Sequence, residues 1–226
     1  MKAYCINLKT STDRKKKMTD QFEREELDVE FIDAIDAKNI NRVFDIRPGE
    51  YGNISSHRKI WSDMLEKGHD MAIIFEDQCR IEDGFSNLVS KLEFPEKWDM
   101  IYLGYTGQRF FAEENDQLDR GKPVGTWCYI ISLEGAKKLV NFDPCDFWLI
   151  PDAQLAFLPI RTFYMKNKIA WRDSTSKSII GSNYIERGVL KWLIIGHWVA
   201  HWFQFYPILE ILFFILILIL YTRLRR

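Results

Sequence analysis

The 226-residue chain has only four cysteines, Cys5, Cys79, Cys128 and Cys145, and no two of them form a C-x-x-C pair. A structural zinc site wants closely spaced ligand pairs, and a disulfide framework wants a small oxidised domain, so buried free thiols are the expectation. Net charge is also missing: 31 basic residues stand against 32 acidic ones, which removes a global field as an argument for a nucleic-acid partner. No apolar signal stretch precedes "MKAYCINLK", which enters a strand pattern at once, and translocation by an N-terminal signal is not expected. Internal repeats and low-complexity segments are absent. Aromatics are not scarce, at 15% of residues, which suits a carbohydrate or nucleotide cleft and equally a membrane surface.

Strand and helix patterns alternate over the first 150 residues. "AYCINL" (3–8) reads as a strand, and "STDRKKKMTDQFEREEL" (11–27) as a helix capped by Ser11 or Thr12, with Met18 and Phe22 on one face. "VEFIDAI" (29–35) is a second strand. "SSHRKIWSDMLEKG" (55–68) gives the clearest helix, capped by Ser55 or Ser56, striped by Ile60, Trp61, Met64 and Leu65, and ended by Gly68. "MAIIFE" (71–76) is the short apolar run of a buried parallel strand. A helix over 85–92, a strand over 99–104, a polar loop to about Pro123, a strand over 126–132 and a helix over 133–140 follow. The class is α/β with an open sheet, whose site is expected beyond the carboxyl ends of the strands, near a switch in strand order.

Composition changes near residue 189, which divides the chain into a domain at 1–188 and a hydrophobic tail at 189–226. From Val189 to Tyr221 the only formal charges are Lys191 and Glu210, and Pro207 splits the run. Its first half carries Trp192, Trp198 and Trp202; its second, "ILEILFFILILILY", is fourteen residues, short of the roughly 20 a span needs. A single tilted span would put Arg223, Arg225 and Arg226 across the membrane, against the positive-inside bias for a cytosolic domain. A hairpin or in-plane anchor keeps domain and tail on the cytoplasmic face and is preferred over a span or a buried soluble helix. His197 and His201 are spaced like metal ligands but lie among tryptophans with no acidic partner nearby, and read as interfacial residues.

The stretch with the most chemistry is "AIIFEDQCR" (72–80), where a buried strand ends on Glu76 and Asp77 and then meets Gln78. Alone it reads equally as a metal and nucleotide site or as an acidic turn after a strand. Taken with "YCINLKTSTDRKKKM", "FIDAIDAKNI", "PGEYGNISSHRKIWSDMLEKGHDMAIIFEDQCRI", "GTWCYIISLEGAKKLV" and "PCDFWL", it resembles glycosyltransferase family 25, the lipooligosaccharide and collagen galactosyltransferase type. Five blocks in order, over about residues 3–180, are more specific than any one. The chain departs from the pattern twice: Asn53 stands where the family usually has Cys, a change not expected to touch chemistry, and Gln78 where it has Asp.

The resemblance implies a GT-A-like fold and inverting transfer of a hexose from a UDP-sugar to a glycan, lipid-linked or protein acceptor. It also implies Mn²⁺ or Mg²⁺, which neutralises a diphosphate leaving group as a Lewis acid held by oxygen ligands. By that pattern Asp77 and Gln78 are metal ligands, Gln78 an uncharged and weaker one. Asn7, Arg14, Asp36, Glu76 and Asp77 face the donor, and Asp146, or else Asp152, is the base. Asp146 also has a bland reading, as a helix cap. Arg14 also opens "RKKK", a run that suits a solvated helix face. Ser56 and His57, at the expected helix start, either contact phosphate or ribose or merely cap and pack. Two other functions compete. Gln78 keeps alive a pseudoenzyme that binds a nucleotide, glycan or partner protein. A phosphohydrolase would want a nucleophilic Asp at a strand end, which "INLK" lacks.

Overall fold

The computed structural model describes residues 1–37, 47–144 and 151–173. Among them an eight-stranded mixed sheet runs in the order β2-β1-β3-β8-β5-β9-β7-β6. Its strands are β1 (Lys2–Asn7), β2 (Glu30–Asp33), β3 (Met71–Glu76), β5 (Met100–Gly104), β6 (Gly107–Glu113), β7 (Leu118–Val124), β8 (Cys128–Ser132) and β9 (Thr162–Met165). A separate antiparallel pair joins β4 (Cys79–Ile81) to β10 (Ala170–Arg172). The helices are α1 (Thr12–Arg24), α2 (Pro48–Lys67), α3 (Phe85–Ser90), α4 (Leu133–Val140) and α5 (Pro151–Phe157).

The central strands are apolar on both sides, so the sheet is covered on both faces. Because side chains alternate along a strand, Cys5, Ile73, Phe75 and Ile101 enter one core with Met18 and Phe22 of α1 and Phe85 of α3. Their neighbours Tyr4, Ile74, Tyr102 and Tyr129 enter the other, with Ile60, Trp61 and Met64 of α2 and Leu139 of α4. Cys5, Cys79 and Cys128 are buried free thiols, as expected; Cys145 lies outside the described residues.

Three elements differ from the sequence reading. The stretch taken as a polar loop before Pro123 is largely the hairpin β6–β7, with a bulge between Phe110 and Ala112. Its β6 strand is mostly exposed and lacks the alternation that marks a half-buried strand. The short strands β4, β9 and β10 fall below the length at which a pattern is visible. Helix α2 begins at Pro48, not at Ser55. Pro48 occupies its first turn, and Glu50 accepts from the Arg47 backbone N–H at 2.9 Å and from Arg47 Nη2 at 2.8 Å, which closes the end. Two glycines and polar neighbours in "GEYGNISS" obscured that first stretch.

Among the described residues no helix is long and apolar enough to cross a membrane. The tail at 189–226, and with it the 188/189 boundary, lies outside the described residues. Gly52 of α2 lets the helix approach the segment after β2: a Cβ there would stand 2.5 Å from the Ile35 carbonyl oxygen and 3.3 Å from Ala37 Cβ. Gly52→Ala is therefore expected to push residues 34–37 outward and to destabilise the fold by about 1–3 kcal/mol, read as a lower denaturation midpoint.

Candidate active site

From β1 the chain turns to β2 on one side, and α2 then carries it back to β3 on the other. Strand order therefore switches between the parallel neighbours β1 and β3, where a crevice opens beyond their carboxyl ends. Asn7 ends β1, Glu76 ends β3, and the Asp77 N–H donates to the Ile6 carbonyl at 3.0 Å. A cleft opens here, lined among others by Ile6, Arg14, Asp36, Gly52, Glu76, Asp77 and Gln78.

Asp77 is held on both oxygens. Asn7 Nδ2 donates to Oδ2 at 3.0 Å, and Arg14 Nη1 to Oδ1 at 3.1 Å. Both partners of the ion pair are largely buried, at 14% and 10% side-chain exposure, so Arg14 is not the solvated charge its "RKKK" context suggested. Burial pushes the Asp77 carboxyl above its ordinary range, and Arg14 and Asn7 offset only part of that rise.

Glu76 is the more heavily bonded carboxylate. Its Oε1 accepts from Thr126 Oγ1 at 2.5 Å, from Asn53 Nδ2 at 3.3 Å and from His57 Nε2 at 3.2 Å. Burial alone would raise this carboxyl; the donors, His57 foremost, outweigh it and hold Glu76 below its ordinary range. Proton counting starts from the Glu76 carboxylate, which can only accept, so His57 Nε2 carries a proton. In the neutral imidazole Nδ1 is then the acceptor and takes the Tyr129 hydroxyl proton at 2.8 Å. Trp61 Nε1 can only donate, and does so to Tyr129 Oη at 3.1 Å.

The same counting reaches Asp152. The Thr126 hydroxyl lies 2.9 Å from Asp152 Oδ1 as well as against Glu76, and it has one proton to give. With that proton on Glu76, the second contact is a hydrogen bond only while Asp152 carries its own. Burial first, and then the Glu76 charge, push Asp152 up to about 6.

Gln78 is buried, and its Oε1 is not turned to a metal position. It accepts from Arg172 Nη2 at 3.3 Å and Nε at 3.4 Å, while its carbonyl accepts from the Asp173 N–H at 2.6 Å. As expected ligands, Asp77 and Gln78 thus offer one carboxylate committed to a guanidinium and one neutral oxygen committed to another. A hard divalent cation wants several anionic oxygens, and this pair does not fit one. Among the described residues no group of three or more His, Cys, Asp or Glu side chains converges as a metal cage.

The structure thus brings Asn7, Arg14, Glu76 and Asp77 together and places Asp36 on the cleft wall. Ser56 and His57 lie well inside α2 rather than at its start, so the reading of a helix end facing phosphate is corrected. Ser56 Oγ donates to the Gly52 carbonyl at 2.6 Å and accepts from the Ile35 N–H at 2.9 Å, which fixes the 34–37 wall. His57, fully buried, orients Glu76. Asp146 lies outside the described residues. Sequence reasoning missed Thr126, Tyr129 and Arg172 and set Asn53 aside. A polar Thr opening the buried run "TWCYIIS" was a usable signal; a three-residue strand ending in Arg172 was not.

The profile described as "Glycosyltransferase family 25 (LPS biosynthesis protein)" matches residues 1–120, more than half of the chain. The chain belongs to glycosyltransferase family 25. Its relatives include procollagen galactosyltransferase 2 of Mus musculus, 29% identical over 74% of this chain and 31% of that protein. Another, of Bos taurus, is named "Probable inactive glycosyltransferase 25 family member 3" and is 27% identical over 70% of this chain and 31% of its own length. The chain spans about a third of the length of these curated relatives. A solved glycosyltransferase involved in glycosylating the major capsid of PBCV-1 aligns over 78% of this chain and 93% of its own, at TM-score 0.47 and 9% identity. Asn7, Arg14 and Glu76–Gln78 lie inside the family 25 match, whereas Thr126, Asp152 and Arg172 lie beyond its last residue.

Asp152 gives a pH test of this geometry. The folded carboxyl keeps its proton up to about pH 6, and the unfolded one loses it near its ordinary value of 3.8. Its ionisation therefore lowers stability as pH rises through that window. Asp152→Asn removes this penalty at pH 8 and not at pH 4, so thermal unfolding should shift upward by about 2–5 °C at pH 8 alone.

Proposed function

We propose that the chain is an inverting hexosyltransferase with a GT-A-like fold, moving galactose or glucose from a UDP-sugar to a hydroxyl of a glycan, lipid-linked or protein acceptor. The observation that carries this reading is the convergence of Asn7, Arg14, Glu76 and Asp77 at the switch between β1 and β3, on the wall and floor of one cleft, in a family 25 chain. The galactosyltransferase names of its relatives favour galactose.

The reaction needs one base. Asp152 takes the acceptor hydroxyl's proton, the freed oxygen attacks the anomeric carbon, and the bond from that carbon to the diphosphate oxygen breaks with inversion. Above about pH 6 Asp152 has lost its own proton, and its carboxylate can accept one from the acceptor hydroxyl. Glu76, whose Oε1 takes three donors, is a framework group that orients Thr126 and keeps Asp152 basic through its charge. Arg14, on the cleft wall, faces the leaving diphosphate. The tail at 189–226 holds the domain at the cytoplasmic face of a membrane, near a lipid-linked acceptor.

A second reading is favoured by Gln78 and by the relative named inactive: the fold binds a nucleotide or glycan and transfers nothing. Transfer of labelled hexose from UDP-sugars to an acceptor panel separates the two. The expected result is turnover that falls by about 10²–10⁴-fold in Asp152→Asn with UDP affinity unchanged. UDP binding without any transfer would favour the second reading.

A further inference from the structure

The pairing of Gln78 with Arg172 takes no part in the scheme above, yet it sets a positive charge against Gln78, a residue that lines the cleft. Arg172 ends β10, and the register of β10 on β4 puts it directly opposite Cys79, next to Gln78. The backbone contact from Asp173 N–H to the Gln78 carbonyl at 2.6 Å locks that register at the strand end. The guanidinium is therefore placed by two paired backbones and not by a loop.

Its partner is neutral. A carboxylate at position 78 would have formed an ion pair and consumed the charge. The amide oxygen accepts two long contacts, at 3.3 and 3.4 Å, and leaves the full positive charge in place on an exposed residue. That charge reaches the active site, since it acts against the rise in the Asp152 carboxyl. Arg14 is different: buried, it is balanced by Asp77. A divalent ion bound at Gln78 would sit beside a fixed cation, which opposes its entry. A diphosphate would be drawn to the same place, because a planar guanidinium matches phosphate oxygens with paired N–H donors.

We propose that Arg172 is the resident cation of this site: seated on the amide oxygen of Gln78, it takes the charge of the donor's diphosphate, and the donor binds without a divalent metal. The inference rests on the nucleotide-sugar reading and goes beyond it by naming the group that stands where the family pattern places an ion.

The test is titration of UDP and of uridine into the full chain, in excess chelator and again in excess Mn²⁺. UDP should bind in both conditions with affinities within about threefold of each other. Arg172→Gln should weaken UDP by about 10–100-fold, the range of a lost charge-assisted contact, and leave uridine unchanged. Arg172→Lys, which keeps the charge and loses the fork, should fall between. The exposed position makes both variants compatible with folding, and an unchanged thermal midpoint checks it. Wild-type binding that appears only with Mn²⁺, or full UDP affinity in Arg172→Gln, overturns the proposal and leaves the donor reading intact. Failure of UDP, GDP, CDP and ADP to bind in either condition overturns the donor reading and the proposal with it.

Discussion

A carboxylate at the end of a buried strand must be paid for in hydrogen bonds, and Glu76 is where this fold meets that requirement. Burial opposes its charge, and donors from two parts of the fold restore it: Asn53 and His57 from α2, and Thr126 from the approach to β8. The donors are in turn fixed from behind, His57 by Tyr129 and Tyr129 by Trp61, all deep in one core. Packing of α2 against the sheet is thus also the positioning of the site. The Gly52 approach to Ile35 and the Ser56 bond to the same segment bind the cleft wall to the same helix.

Around that carboxylate the charges are arranged in order of burial. Asp77 is balanced by Arg14 within the protein, and Asp152 is left with a proton it can lose near neutral pH. Arg172 keeps its charge because Gln78 has none to offer. Each group has an environment that differs from its neighbour's, which is the condition for two carboxyl groups to play separate parts. In this arrangement a substitution that removes a negative charge at position 78 need not be a loss of function. It exchanges a site for a mobile cation for a site beside a covalently attached one.

The sequence made the central α/β alternation legible because those strands are apolar on both faces and their helices carry clear stripes, as in Ile60, Trp61 and Met64. The E-D-Q strand end was legible only beside the other blocks, since a buried run stopping on two carboxylates reads equally as an acidic turn when taken alone. The hairpin β6–β7 was not, because its outward side chains follow no alternation. The start of α2 was hidden by glycines whose purpose, the close approach to Ile35, is a tertiary one. His57 shows the same limit: its neighbours suggested a helix end, and only the Arg47–Glu50 cap moved that end upstream and turned the imidazole inward. Arg172 and Thr126 meet Gln78 and Glu76 across long stretches of chain, contacts that no local pattern records.

The family match joins this geometry to transfer chemistry, and the central claim is that the crevice between β1 and β3 is where the donor sits. A crystal structure of the chain with UDP bound tests it most directly. The account predicts the nucleoside in the cleft lined by Asp36 and Gly52, with the diphosphate beside Arg14 and within hydrogen-bonding distance of the Arg172 guanidinium. A nucleotide ordered on another face, with that cleft empty, would contradict it.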